Sequence, residues 1–163
     1  MILQTKRLII RKFKPDDVAA LIDMFTDPDV MKYIGPRRAL TEDEAKEWLS
    51  DVLLQQDRVL SRYAVALQET DELIGVAGLR DAESIKDFGY YFRRKFWGKG
   101  YASEACSAIL RYIENTLDIR DYQIFIADEN INSIRMIRRL GFQAVEGMMK
   151  STEQGHLYKR IPR

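Results

Sequence analysis

At 163 residues, with 46% hydrophobic and 31% charged residues, the chain has the size and composition of one globular domain over residues 1–163, which excludes a disordered tail. Its 26 basic and 25 acidic residues are scattered and sum to +1, so the charge pattern gives no reason to expect nucleic acid or an anionic membrane as partner. A lone Cys106 rules out an intrachain disulfide, no apolar run nears the ~20 residues of a membrane span, and the opening Met-Ile-Leu-Gln-Thr-Lys-Arg lacks a signal-peptide core, so a cytoplasmic location is expected.

Leu8 to Phe13 reads as a short apolar strand, and Pro15 suits the first turn of a helix carrying Val18, Leu21, Ile22 and Phe25 at helical spacing. Pro28 opens a further short helical piece through Tyr33, which Gly35-Pro36 breaks. Thr41-Glu42-Asp43-Glu44 is a capping box ahead of a helix with Ala45, Trp48, Leu49, Val52 and Leu53 on one stripe. Tyr63, Val65 and Leu67 alternate as a strand, Glu69 to Glu72 turn, and Leu73 to Leu79 return as the second arm of a hairpin. Phe88 to Phe92 is another strand; Ala102, Ala105, Cys106, Ile109, Leu110 and Ile113 then mark a long amphipathic helix. A strand from Tyr122 to Ala127 leads to a helix carrying Ile131, Ile134, Ile137 and Leu140, which Gly141 stops. Phe142 to Met149 and His156 to Ile161 close the chain as strands. This order combines hairpins with one strand-helix-strand stretch, which predicts a mixed α/β (α+β) fold: one central, mixed sheet with helices on both faces.

The segment Phe96-Trp97-Gly98-Lys99-Gly100-Tyr101-Ala102-Ser103 lies between a predicted strand and the best-defined helix. A helix start carries free N–H groups and partial positive charge, and glycines let the chain turn so that several N–H groups converge on one anion. Such a nest suits a diphosphate, to which Lys99 adds a charge and Ser103 a hydroxyl. The dinucleotide fingerprint would need a third glycine where Ser103 stands, and the nucleoside-triphosphate loop G-x-x-x-x-G-K-[ST] is absent.

The run Asp87-Phe88-Gly89-Tyr90-Tyr91-Phe92, the loop from Phe96 to Ala105, and the pair Asn130-Ile131-Asn132-Ser133 and Leu140-Gly141-Phe142 resemble the GNAT N-acetyltransferases, in particular their RimJ/RimL-like branch of ribosomal-protein N-terminal acetyltransferases. The opening Thr5-Lys6-Arg7-Leu8-Ile9-Ile10-Arg11 and Asp16-Asp17 are similar to the start of that branch. The resemblance implies a mostly antiparallel sheet that splays between the strands at Phe88 to Phe92 and Tyr122 to Ala127, with acetyl-CoA seated in the opening. It implies that backbone groups of Tyr91, Phe92 and Arg93 bind the pantetheine amides. Trp97, Gly98, Lys99, Gly100, Tyr101, Ala102 and Ser103 would cap the pyrophosphate, Asn130 would position the pantetheine arm, and Ser133 and Arg139 would lie toward the far end of the cofactor. The sequence departs from the family in two places. Lys95 stands where the loop usually opens with Gln or Arg, and Ile137 stands where many members have the tyrosine that protonates the departing thiolate.

Acetyl transfer requires a neutral amine, a polarised carbonyl and a thiolate able to leave. An α-amine with a pKa of about 8 needs less help from a base than a side-chain amine at about 10. Asp87, at the start of the strand beside the expected opening, is the leading base candidate, with Glu104 and Glu129 behind it. The backbone N–H of Tyr91 is the candidate oxyanion donor, and water or Tyr90 is the alternative proton source for the thiolate. His156 has no nucleophile or carboxylate at a useful spacing, Cys106 lies on an apolar stripe, and no side-chain cluster has metal-ligand spacing. The expected function is direct transfer from acetyl-CoA to a primary amine in a ternary complex, with a protein N-terminus as first acceptor. Small amines such as polyamines or antibiotics, a different acyl-CoA, and a non-catalytic acyl-CoA binding module are the competing readings. The branch also admits a homodimer.

Overall fold

The computed structural model describes residues 1–82 and 84–161. Its strands are β1 (Leu3–Gln4), β2 (Leu8–Arg11), β3 (Tyr63–Leu67), β4 (Leu73–Ala82), β5 (Ile85–Phe92), β6 (Gln123–Ala127), β7 (Phe142–Lys150) and β8 (Glu153–Arg160). The helices are α1 (Val18–Phe25), α2 (Pro28–Met31), α3 (Glu42–Gln55), α4 (Tyr101–Asn115) and α5 (Ile131–Arg139). The strands form one sheet in the order β1-β2-β3-β4-β5-β6-β8-β7. Every neighbouring pair is antiparallel except β5 and β6, which run parallel across the α4 crossover. The predicted mixed, mostly antiparallel sheet with helices on both faces is the observed one.

Two apolar cores follow from the two-residue alternation of the strands. On one face Leu8, Ile10, Ile74, Phe88, Phe92, Ile124 and Ile126 meet Cys106, Ile109 and Leu110 of α4 and Met136 and Ile137 of α5. On the other, Ala64, Leu73, Val76 and Tyr91 meet Leu21, Met24 and Phe25 of α1, Val30 and Met31 of α2, and Ala45 and Leu49 of α3. Each large side chain buried this way contributes about 1.5–3 kcal/mol relative to exposure. The helix ends obey local chemistry. Thr41 and Glu44 cap α3 reciprocally, with N–H to oxygen distances of 2.9 and 3.1 Å. Gly141 at φ 94° ends the α5 segment.

The longer hairpin strands depart from the sequence-based boundaries where charged residues carry the ladder, while β1 at Leu3–Gln4 is not among the predicted elements and β2 stops at Arg11, short of Phe13. β4 continues to Ala82 and β5 begins at Ile85, past the apolar run, because Arg80 pairs across the ladder with Asp87 and Asp81 with Lys86. Opposite charges facing each other sustain a ladder that hydrophobic periodicity does not register. Likewise β8 starts at Glu153, earlier than His156, in a largely solvent-facing hairpin with β7.

Candidate active site

β5 and β6 are in register at a single pair, Asp87 with Gln123. Beyond it the strands diverge and open a cleft of about 900 Å³, lined by Phe88 to Phe92 on one wall and Ile124 to Ala127 on the other. The ladder of β5 decides which backbone groups face that cleft. The Arg93 N–H donates to the Ile74 carbonyl at 2.8 Å, and the β4–β5 register continues without a bulge. Alternation then turns the Tyr91 and Gly89 amides toward β4, puts that of Phe88 at the β6 bridge, and leaves those of Tyr90 and Phe92 facing the opening. The oxyanion expectation for the Tyr91 N–H is therefore corrected: that group lies on the β4 side, and its neighbours Tyr90 and Phe92 carry the cleft-facing N–H groups. The Trp97 indole N–H donates to the Phe92 carbonyl at 2.9 Å and so ties the following loop to the strand.

After a 3₁₀ turn at Arg94–Phe96, Gly98 and Gly100 take φ values of 75° and 79°, the left-handed region that favours glycine. Gly100 is the N-cap of the 15-residue α4, and no side chain caps it. The amides of Tyr101, Ala102 and Ser103 thus begin the helix without a side-chain acceptor, at the positive end of its dipole. Glu104 in the same turn is engaged elsewhere: it accepts from the Arg7 guanidinium at 2.7 Å and from Thr5, clamping the β1–β2 turn to α4. It anchors that turn and lies outside the cleft lining.

Tyr90 and Ser133 share a hydrogen bond between their hydroxyls, joining β5 to the first turn of α5. Burial pushes the Tyr90 phenol well above its ordinary pKa, so it stays protonated at neutral pH. On the opposite face Asp87 accepts from the Arg62 guanidinium at 2.7 Å, and Arg80 approaches the same oxygen at 3.5 Å. The other oxygen, Oδ1, has no hydrogen-bond partner among the described residues. Arg93 departs from the expectation that its backbone binds the cofactor amides: its N–H is instead taken by the Ile74 carbonyl. Its side chain is buried among Asp23, Glu72 and the Leu73 carbonyl at 2.7–2.8 Å, where it braces the end of β5 and does not line the cleft.

The Acetyltransferase (GNAT) domain profile matches residues 7–143. The chain belongs to the GNAT acetyltransferase family. Acetyl-CoA is accordingly its acyl donor. The uncharacterized N-acetyltransferase p20 of Bacillus licheniformis is 31% identical over 156 residues, 93% of this chain and 87% of that protein. The GNAT-family acetyltransferase of Bacillus anthracis superposes with a TM-score of 0.82 at 26% identity, covering 96% of this chain and 94% of that one. RimL, a ribosomal L7/L12 alpha-N-protein acetyltransferase solved with coenzyme A, superposes at 0.78 over 96% and 94%; at 20% identity it shares the fold.

The GNAT cleft gathers most residues that the sequence singled out. Phe92, Trp97, Gly98 and Gly100 lie along it with Tyr101, Ala102 and Ser103; Asn130, Ser133 and Arg139 enter from the α5 side, and Asp87 and Tyr91 from β5. Lys99 is exposed with its ammonium 5.9 Å from the Phe96 ring centroid and, like Arg93, is outside the lining. Ile137 is fully buried in the α4–α5 core, so the usual tyrosine position of the family is filled here by packing. Sequence reasoning missed Arg62, which carries no motif and reaches Asp87 only through the sheet. It also left Tyr90 unpaired with Ser133, a contact that spans 43 positions of the chain. Among the described residues there is no cluster fit to hold a metal ion and no helix long and apolar enough to cross a membrane.

Proposed function

We propose that the chain, acting as one domain, transfers acetyl from acetyl-CoA directly to an N-terminal α-amine of a protein or peptide, in the manner of the RimJ/RimL-like branch. The observation that carries this reading is the opening between β5 and β6, which leads from unpaired strand amides to an uncapped helix start. The α4 amides and the two left-handed glycines receive the pyrophosphate. The cleft-facing backbone of Tyr90 and Phe92 pairs with the pantetheine arm as an added strand would, and Asn130 borders it. One of those N–H groups stabilises the developing oxyanion, a donor of the kind whose loss costs about 3 kcal/mol.

Asp87 takes the amine proton through Oδ1, directly or through a water, as the nitrogen attacks the acetyl carbonyl. The C–N bond forms as the C–S bond breaks, the Tyr90–Ser133 hydroxyls donate a hydrogen bond to the departing thiolate, and the thiolate takes its proton from water. Because burial keeps Tyr90 neutral, the pair meets the thiolate as a hydrogen-bond donor. An α-amine suits this machinery because it is partly neutral near pH 8 without a strong base. The protein acceptor named for RimL points the same way.

Calorimetric titration with acetyl-CoA, followed by thiol release measured with and without peptide amines, tests the reading. Micromolar binding together with peptide-dependent CoA release supports it. Absence of acetyl-CoA binding, or binding with no amine-dependent release, sinks it.

A further inference from the structure

On the face of the sheet opposite α4 and α5, the described residues at the mouth of the cleft hold more positive charge than their carboxylates balance. Gly89 faces the same side as Tyr91, and the Arg62 guanidinium lies directly over it: a Cβ there would sit 2.3–2.8 Å from guanidinium atoms. Arg62 also donates to the carbonyl of the facing Gly78 at 3.2 Å, and its side chain is only 14% exposed. Glycine at position 89 thus makes room for a fixed cation in the cleft floor. Among the described residues Asp87 is the one carboxylate that pairs with Arg62 and Arg80.

Two further cations border the same mouth. Lys32 follows α2 and stands 5.3 Å from the centroid of the Tyr33 ring; Lys150 ends β7 and stands 5.5 Å from that of Phe125. Neither has a carboxylate within 4 Å among the described residues. The acids nearby are already engaged, Asp29 by Arg94 and Glu153 by Arg37. The surplus is local, since the whole chain carries +1.

A field of this sign repels a second ammonium on the acceptor and attracts an anionic group. We infer that the acceptor is an amine bearing a carboxylate within a few bonds of the reacting nitrogen, received by Arg62, Arg80, Lys32 and Lys150. This inference rests on the acetyltransfer reading. It disfavours polyamines, whose neighbouring ammonium would meet the same cations, and it makes Gly89 a specificity-determining position through the arginine it accommodates.

The test uses the full chain at saturating acetyl-CoA and reads CoA release with matched acceptors: C-terminally amidated Ser-Asp and Ser-Asn tetrapeptides, free aspartate and glutamate with their diamides, in which no carboxylate remains, and spermidine. The expected result is a kcat/KM at least tenfold higher for each preferred acid than for its amide, still lower use of spermidine, and a preference that shrinks as ionic strength rises. Preference for the acidic peptide over the free amino acids assigns the carboxylate to a polypeptide N-terminus, and the reverse assigns it to a small amino acid; both support the inference. In Lys32→Gln/Lys150→Gln, with folding verified by acetyl-CoA titration, the acid-to-amide ratio falls severalfold. Amides or spermidine used as well as the acids, or a ratio unchanged in the double variant, overturns the inference while leaving acetyltransfer standing. Acetyl-CoA binding without release by any amine overturns the acetyltransfer reading, and the acceptor inference falls with it.

Discussion

Gly98→Ala isolates the geometry of the phosphate loop from its packing. A Cβ at Gly98 would meet no atom within 4 Å, so the substitution creates no clash, and its penalty is confined to holding a non-glycine residue at φ 75°. That conformation costs about 1–2 kcal/mol for an L-residue. The cost appears in one of two places. If the loop keeps its shape, the protein loses that stability, and a domain of this size melts roughly 2–8 °C lower. If the loop instead relaxes, the amides ahead of α4 no longer converge, and acetyl-CoA affinity falls by roughly 5–30-fold for the same free energy. Scanning calorimetry and titration with acetyl-CoA on the same preparation read both, and the two losses should together account for about 1–2 kcal/mol. A variant that melts and binds as the parent does would refute the claim that left-handed backbone shapes this loop for its ligand.

Tyr90→Phe and Ser133→Ala each remove one hydroxyl of the buried pair; kcat is expected to fall about 10–100-fold in either, with acetyl-CoA affinity changed little, as stopped-flow and titration would show. The double variant should lose little more than the worse single one, because both act through one hydrogen-bonded pair. Ile137→Tyr does not restore an acid to the site: at a fully buried position the larger ring overpacks the α4–α5 core, lowering stability by about 1–3 kcal/mol with no gain in kcat. For Glu72, the hydrogen bond from Arg93 holds the carboxyl below its ordinary range. A carboxylate depressed in the folded state stabilises the protein above its unfolded pKa, about 4.3, and that contribution disappears as pH falls through the lower folded value. The melting-temperature gap between the parent and Glu72→Gln, present at pH 7, should therefore close on acidification below about pH 4. A gap that persists or widens there would contradict the assignment.

Local chemistry made much of this protein legible from its sequence. The glycine loop, the start of α4 and the capping box at Thr41 are short contiguous stretches in which residue type and backbone conformation are directly coupled. The apolar stripes of α4 and α5 likewise announce which face each helix buries, and Cys106 and Ile137 lie in the core where those stripes put them. Tertiary structure alone decided the rest. Arg62 meets Asp87 across 25 positions of the chain because β3, β4 and β5 fold side by side, and nothing in either neighbourhood encodes the partner. The orientation of the Tyr91 amide depends on the ladder parity with β4, which a shift of one residue would reverse. The cleft itself exists because β5 and β6 pair at Asp87 and Gln123 and then separate. That divergence belongs to the relation between two strands joined by a helix, so no single segment carries its signature.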